Sequence, residues 1–197
     1  MDDRVKIIEI ETLSENWGVL KNTTFELRRR DGRWQQQERE TYDRGDAAAI
    51  LLYDPTRGTV LLTRQFRFPL YARGEAPMLI EVCAGLLDGD DPETCARKEA
   101  EEETGYRVSA IQHVFDSHMS PGSVLEKLSF FVGTYDHRSR VSAGGGLPHE
   151  GEDIEVLELP FERALAMIGG GEITDAKTIM LLQHAALNDL FGDQSRG

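Results

Sequence analysis

Between Gly85 and Gly105 the chain reads GLLDGDDPETCARKEAEEETG, and Glu99, Glu101, Glu102 and Glu103 crowd the last turn of one expected helix. Local signals agree on that helix. Asp91 can cap its start, Pro92 occupies the first position, where a missing N–H costs nothing, and Gly105 supplies the left-handed residue past its end. Carboxylates in a last turn face the negative end of the helix macrodipole, and Glu99 and Glu103 are like charges one turn apart. Each effect opposes the helix by roughly a few tenths of a kcal/mol. An isolated run of glutamates also reads as a solvated face. The spacing adds something a solvated face does not need: Glu99, Glu102 and Glu103 stand at i, i+3 and i+4, on one side of the helix, with Ala96 and Ala100 offering a small-residue side for close packing. A hard divalent cation fits that stripe, because Mg²⁺ or Mn²⁺ takes oxygen ligands, usually one or two carboxylates plus the phosphates of a substrate.

Hydrophobic period gives the organisation around this helix. In residues 1–45, VKIIEIETL, WGVLKNTTFELRR and RWQQQERETY read as strands, the last two joined by the turn dipeptide Asp31-Gly32. Such a meander is too small to bury its own faces and is expected to pack on the main domain or on a second subunit. AAAILLYD and TVLLTRQF form a hairpin around Pro55 to Gly58, followed by the helix, a strand near Ser109 to Phe115, and the strand LSFFVGTYD. PFERALAMI and DAKTIMLLQHAALNDLF carry apolar residues at helical spacing, with Pro160 and Asp175 as start signals, and the tail GDQSRG is expected to fray. Strands on both sides of helices predict an α/β/α sandwich in residues 46–197.

Composition narrows the function. The net charge is −13, which argues against nucleic acid or an anionic membrane as a partner. Residues 1–75 hold 13 basic and 13 acidic residues, so the whole deficit lies in residues 76–197, with 9 basic and 22 acidic. An acidic half beside an Arg-rich half suits a phosphorylated substrate bridged to the acids by metal and clamped elsewhere by arginine, although solubility alone also accounts for the charge. No apolar run approaches the roughly 18 residues of a membrane span and MDDRVKIIEIE lacks a signal-peptide stretch, so a cytoplasmic location is expected. Cys83 and Cys95 lack zinc or CxxC spacing and read as reduced packing residues, and the histidines form no HExxH or triad pattern. AGGGLPHEGED lacks the Lys and Ser/Thr of a P-loop and reads as a mobile loop whose acids matter more than its glycines.

The glutamate segment resembles the Nudix hydrolase signature G-x5-E-x7-R-E-U-x-E-E-x-G-U, with U a bulky apolar residue. Gly85, Glu99, Glu102, Glu103 and Gly105 match it. Lys98 stands where the family has Arg, Ala100 and Tyr106 fill the two U positions, and the first half is one residue short, with Asp90 or Asp91 near the usual Glu. The stretches YDRGDAAAILLYDPTRGTVLLTRQFR, LIEVCAGLLD, MSPGSVLEKLSFFVGTYD and AGGGLPHEGEDIEVLELPF are similar to the GDP-mannose pyrophosphatase branch of that family, in which the shortened box is itself a trait.

The resemblance implies a Nudix-type α/β/α sandwich with a mixed sheet, preceded by a small antiparallel sheet that builds a homodimer. It implies a metal-dependent pyrophosphatase that splits the diphosphate of a nucleotide sugar, GDP-mannose first, to a nucleoside monophosphate and a sugar 1-phosphate. ADP-ribose or an ADP-sugar as substrate, and a non-cleaving nucleotide-binding module, are the alternatives. The carbonyl of Ala84 with Glu99, Glu103 and Glu152 would hold Mg²⁺, or Mn²⁺, and Glu152 or Glu102 would take the proton of the attacking water. In the loop the acid of the branch that precedes Glu152 is replaced by Gly151, and Pro148-His149 adds a residue. Trp17, Glu38, Arg39, Glu40, Arg67, Glu126 and Lys177, with Ala84, Gly85, Glu103 and Glu152, match the positions that contact nucleotide and sugar. Trp17 can stack a purine, and Arg67 and Lys177 can bond phosphate or sugar oxygens.

Overall fold

A computed structural model describes residues 3–192. The last five residues of the GDQSRG tail therefore lie outside the described residues. The chain divides into two compact units.

The first unit comprises residues up to Asp46 together with Ser117–Leu128. Its frame is a three-stranded antiparallel sheet in the order β1 (Val5–Glu15), β2 (Val19–Arg28), β3 (Trp34–Asp43). Asp31-Gly32 turns β2 into β3, with Gly32 at φ 84°, in the left-handed region that favours glycine. The register of β1 on β2 shifts between Ile7 and Glu9 and again between Thr12 and Ser14. Segment 117–128 is fastened to this sheet by backbone bonds: the Tyr42 N–H donates to Ser123 O at 2.8 Å and the Leu125 N–H to Tyr42 O at 2.9 Å. The sheet leaves Ile7, Ile8 and Ile10 of β1 between 54 % and 58 % exposed, as expected of three strands with no second layer of their own.

The second unit holds Ala47–Asp116 and the chain from Ser129 onward. Its sheet runs β10 (Glu155–Pro160), β5 (Thr59–Phe66), β4 (Ala47–Asp54), β9 (Lys127–Thr134), β8 (Ile111–His118). Two short strands, β6 (Met78–Glu81) and β7 (Cys83–Leu86), complete it. The AAAILLYD/TVLLTRQF hairpin forms as expected, but β4 and β5 pair with each other only over Leu52–Asp54 and Thr59–Leu61. Beyond that point they diverge. β6 then pairs with β5 over Thr63–Phe66, and β7 with β4 over Ala47–Ile50, so the chain fills the fork between them and turns at Val82.

β4 is covered on both faces. Ala48, Ile50 and Leu52 join a cluster with Cys83, Cys95, Ala96, Ala100, Tyr106 and Phe131, which places helix α2 (Pro92–Thr104) on that side. Ala49 and Leu51 are equally inaccessible, and strand alternation points them to the opposite face, where α4 (Ala176–Leu187) packs on β4 and α3 (Phe161–Gly170) packs on α4. The second unit is the α/β/α sandwich expected from the sequence. A single turn, α1 (Phe68–Ala72), links β5 to β6.

α2 has the ends its sequence predicts. Asp91 accepts N–H bonds from Glu93 and Thr94, both at 3.1 Å, Pro92 opens the helix, and Gly105 closes it at φ 79°. Its buried side consists of Cys95, Ala96, Ala100, Glu103 and Thr104, small residues that allow close approach to the sheet, with one carboxylate among them. Both cysteines are buried free thiols. Strand β8 begins two residues later than the expected Ser109 start; the Ser109 N–H donates to the Thr134 carbonyl at 2.9 Å and the Ala110 N–H to Thr134 Oγ1 at 3.2 Å.

Candidate active site

The fork in the sheet decides where the carboxylates of α2 come to rest. β7 lies beneath α2 with Gly85 paired opposite Ala48 on the helix side of the sheet, and Ala84, opposite Ala49, is its chain neighbour. At Gly85 the contact is tight: a Cβ there would stand 2.1 Å from Oε1 of Glu99. Only glycine lets that carboxylate lie against the strand.

Glu103 is 1 % exposed, and its Oε2 has no hydrogen-bond partner among the described residues. Burial drives its pKa well above the ordinary carboxylate value, the charges of Glu99, Glu152 and Glu81 push the same way, and a hydrogen bond from the Cys83 thiol opposes them. Glu99 is half-buried, and burial followed by the charges of Glu102 and Glu152 raises it to about 7. Cys83 feels the reciprocal effect: burial first, then the Glu103 charge, hold its thiol protonated.

Glu152 comes from the glycine loop. Its Oε2 accepts the Leu147 N–H at 2.8 Å, and a Cβ on Gly146 would stand 2.4 Å from that oxygen. The loop is fastened to the end of α2 instead of hanging free. Gly145 and Gly146 donate N–H bonds to the carbonyls of Glu103 and Glu102 at 2.9 and 3.1 Å, which satisfies helix-end acceptors that the glutamates would otherwise surround with more negative charge. Gly144, Gly145 and Gly146 all have positive φ, so the loop takes a path that other residues resist.

Among the described residues, no cation pairs at salt-bridge distance with the carboxylates of Glu99, Glu102, Glu103 and Glu152, and Oε2 of Glu103 is dry and unpartnered. Lys98 is the exception in charge only: it is exposed and lowers Glu99 without outweighing burial. The donor set is hard oxygen, which suits a divalent cation of the Mg²⁺ type. Among the described residues, no three His, Cys, Asp or Glu side chains already converge at ligating distance. Mutual repulsion and the Glu152–Leu147 bond account for that, since the cation is what draws such groups together.

A second charged group adjoins the first. Glu81, at the end of β6, accepts from Arg67 Nε at 2.6 Å and from Lys177 Nζ at 3.1 Å, and Lys177 also donates to Asp175 at 2.7 Å. Asp175 caps α4 through the Thr178 N–H at 2.9 Å, and the Thr178 hydroxyl oxygen accepts the Val82 N–H at 2.8 Å. Burial pulls the pKa of Arg67 down, yet the bond and charge of Glu81 outweigh it, and Lys177 is raised in the same way by Asp175 and Glu81. Arg67 also feels the charge of Glu103, so the two groups are electrostatically one site.

The structure thus brings Arg67, Ala84, Gly85, Glu99, Glu102, Glu103, Glu152 and Lys177 into the second unit. Trp17, Glu38, Arg39, Glu40 and Glu126 belong to the first. Trp17 is 73 % exposed with the Arg44 guanidinium 4.5 Å from its ring centroid; Glu38, Arg39 and Glu40 are exposed on β3, with Arg39 bonded to the Glu38 carbonyl and to Gln37. The backbone carbonyl of Glu126 lies 3.3 Å from His118 Nδ1. Sequence reasoning missed Glu81 and the thiol donor Cys83. The available signal was a lone acid inside the apolar run LIEVCAG.

Residues 43–182 match the NUDIX domain, and residues 4–42 match the GDP-mannose pyrophosphatase NudK N-terminal domain. The chain belongs to the Nudix hydrolase family. Within it, the chain falls in the branch whose relatives are named GDP-mannose pyrophosphatase. The protein of that name from Pectobacterium atrosepticum is 53% identical over 192 residues, covering 97% of this chain and 98% of its own, and the one from Salmonella arizonae is 50% identical, covering 98% and 100%. A crystal structure of an ADP compounds hydrolase superposes with a TM-score of 0.73 over 95% of this chain and 96% of its own at 17% identity, which shows a shared fold.

The raised carboxylates set a pH dependence. Because the folded protein holds protons on Glu99 and Glu103 that the unfolded chain has released, this pair makes the metal-free protein less stable as pH rises from about 4.5 through 7. A cation held by these carboxylates would require them ionised, so its binding would strengthen over the same range. The gain in melting temperature on replacing EDTA with Mg²⁺ is expected to be larger at about pH 8 than at about pH 6. An equal or larger gain at the acid end would contradict this electrostatic account.

Proposed function

We propose that this enzyme hydrolyses GDP-mannose to GMP and mannose 1-phosphate with Mg²⁺, in the cytoplasm and as a homodimer. What carries the reading is identity of about half over nearly the whole chain with relatives named GDP-mannose pyrophosphatase. The buried, unpartnered Oε2 of Glu103 supports the metal, which would be held by Glu99, Glu103, Glu152 and the carbonyl of Ala84. When bound, a divalent cation supplies charge neutralisation and Lewis acidity to a diphosphate.

The chain's own groups do the rest. Water attacks one phosphorus, a new P–O bond forms, and the bond to the bridging oxygen breaks, leaving one phosphate on the nucleoside and one on the sugar. The attacking water gives its proton to the carboxylate of Glu152 or Glu102. Arg67 and Lys177 bond oxygens of the phosphates or sugar, Ala84 and Gly85 bring backbone close to the diphosphate, and Trp17, Glu38, Arg39, Glu40 and Glu126 contact the nucleotide and sugar. Residues 1–45 act as the N-terminal, dimer-forming region and 46–197 as the hydrolase domain. The exposed isoleucines of β1 support the dimer. Free buried thiols, and the lack among the described residues of a helix long and apolar enough to cross a membrane, support the cytoplasm.

A chromatographic panel of GDP-mannose, other nucleotide sugars and ADP-ribose with Mg²⁺ tests the activity. GDP-mannose is expected to be cleaved with the highest kcat/KM, and Glu103→Gln to lower its turnover by at least about a hundredfold while remaining folded. Preference for ADP-ribose would overturn the substrate, and inertness toward the whole panel would point to a binding module. Light scattering on the full chain is expected to give twice the chain mass. A monomer across the micromolar range would remove the dimer.

A further inference from the structure

We propose that Glu81 is a positioning residue whose buried carboxylate gathers Arg67, just past β5, and Lys177, in the first turn of α4, into one paired cationic clamp for the oxyanions of the substrate. The inference rests on the reading of Arg67 and Lys177 as substrate contacts.

The exposure of the four charges is graded. The side chains of Glu81 and Asp175 are 3 % and 9 % exposed, those of Lys177 and Arg67 19 % and 40 %. Anions form the floor and cations the open side. Glu81 commits both oxygens, one to each cation, whereas Arg67 spends only its Nε on the pair. Among the described residues, the two terminal nitrogens of Arg67 have no hydrogen-bond partner, and Lys177 keeps one of its three N–H donors. The free donors therefore sit on the more exposed members.

Without Glu81 the two cations would repel, and each long side chain would regain its rotamer freedom, which an incoming phosphate would have to remove again. The floor itself is rigid. Glu81 is in register with Thr63 of β5, and the next residue, Val82, donates its N–H to Thr178 of α4. The floor of the clamp is thus continuous in the chain with β7, on which Ala84 and Gly85 sit.

The experiment measures KM and kcat for GDP-mannose at saturating Mg²⁺, with melting temperature as a folding check, in Glu81→Gln, in Arg67→Ala/Lys177→Ala, and in the triple variant. Glu81→Gln is expected to raise KM about tenfold with kcat within about threefold of the parent, and to add no further rise in the Arg67→Ala/Lys177→Ala background. Glu81→Asp, which keeps the charge but is one methylene too short to hold both cations, is the companion variant should the Gln form fail to fold, and the same rise in KM is expected of it. An unchanged KM, or the same added rise whether or not Arg67 and Lys177 are present, would overturn the positioning role. If Arg67→Ala/Lys177→Ala itself left KM unchanged, the substrate-contact reading would fall, and the clamp with it.

Discussion

The Glu103 carboxylate is almost fully buried, carries one oxygen with no partner, and stands beside three further glutamates. Left alone, such a group costs the fold both desolvation and repulsion, and it protonates to limit the cost. The surrounding structure is organised to hold it there regardless. α2 is capped at its start by Asp91, its buried side is built from small residues that bring it close to the sheet, and its end is stitched to the Gly144–Gly146 loop through the carbonyls of Glu102 and Glu103. A helix held at both ends tolerates a last turn that its own electrostatics disfavour. That tolerance is what a cation site requires before the cation arrives.

The divergence of β4 and β5 is the second constraint. Filling the fork with β6 and β7 puts Glu81, Ala84 and Gly85 within a few residues of one another at the middle of the sheet, with α2 above. One short stretch of chain thus supplies the strand backbone beneath Glu99 and the anion beneath Arg67 and Lys177. An acidic group suited to metal and a basic group suited to phosphate sit side by side, and the mutual charge effect of Arg67 and Glu103 is the physical sign of that adjacency.

Much of this was legible in the sequence because the signals were local. Asp91, Pro92 and Gly105 defined α2, Asp31-Gly32 the turn between β2 and β3, and Asp175 the start of α4, each through backbone chemistry within a few residues. The glutamates were legible through their spacing and through the family signature around them. What escaped depended on tertiary partners. β6 and β7 are four residues each, too short for a period to register, and their identity as strands comes from the fork they fill. Glu81 looked like one acid in an apolar run until Arg67 and Lys177 converged on it from distant elements. The AGGGLPHEGED segment read as a mobile loop because its glycines favour no structure locally. Their positive φ values serve a connection to α2 that only the folded chain contains.

The central claim is that the buried carboxylate stripe of α2 exists to hold a divalent cation against β7. Anomalous diffraction at the manganese edge, from crystals of the full chain grown with Mn²⁺, tests it most directly. The account predicts a peak in contact with carboxylate oxygens of Glu99 and Glu103 and with the carbonyl of Ala84. Manganese bound only elsewhere, with Glu103 still unpartnered, would contradict it.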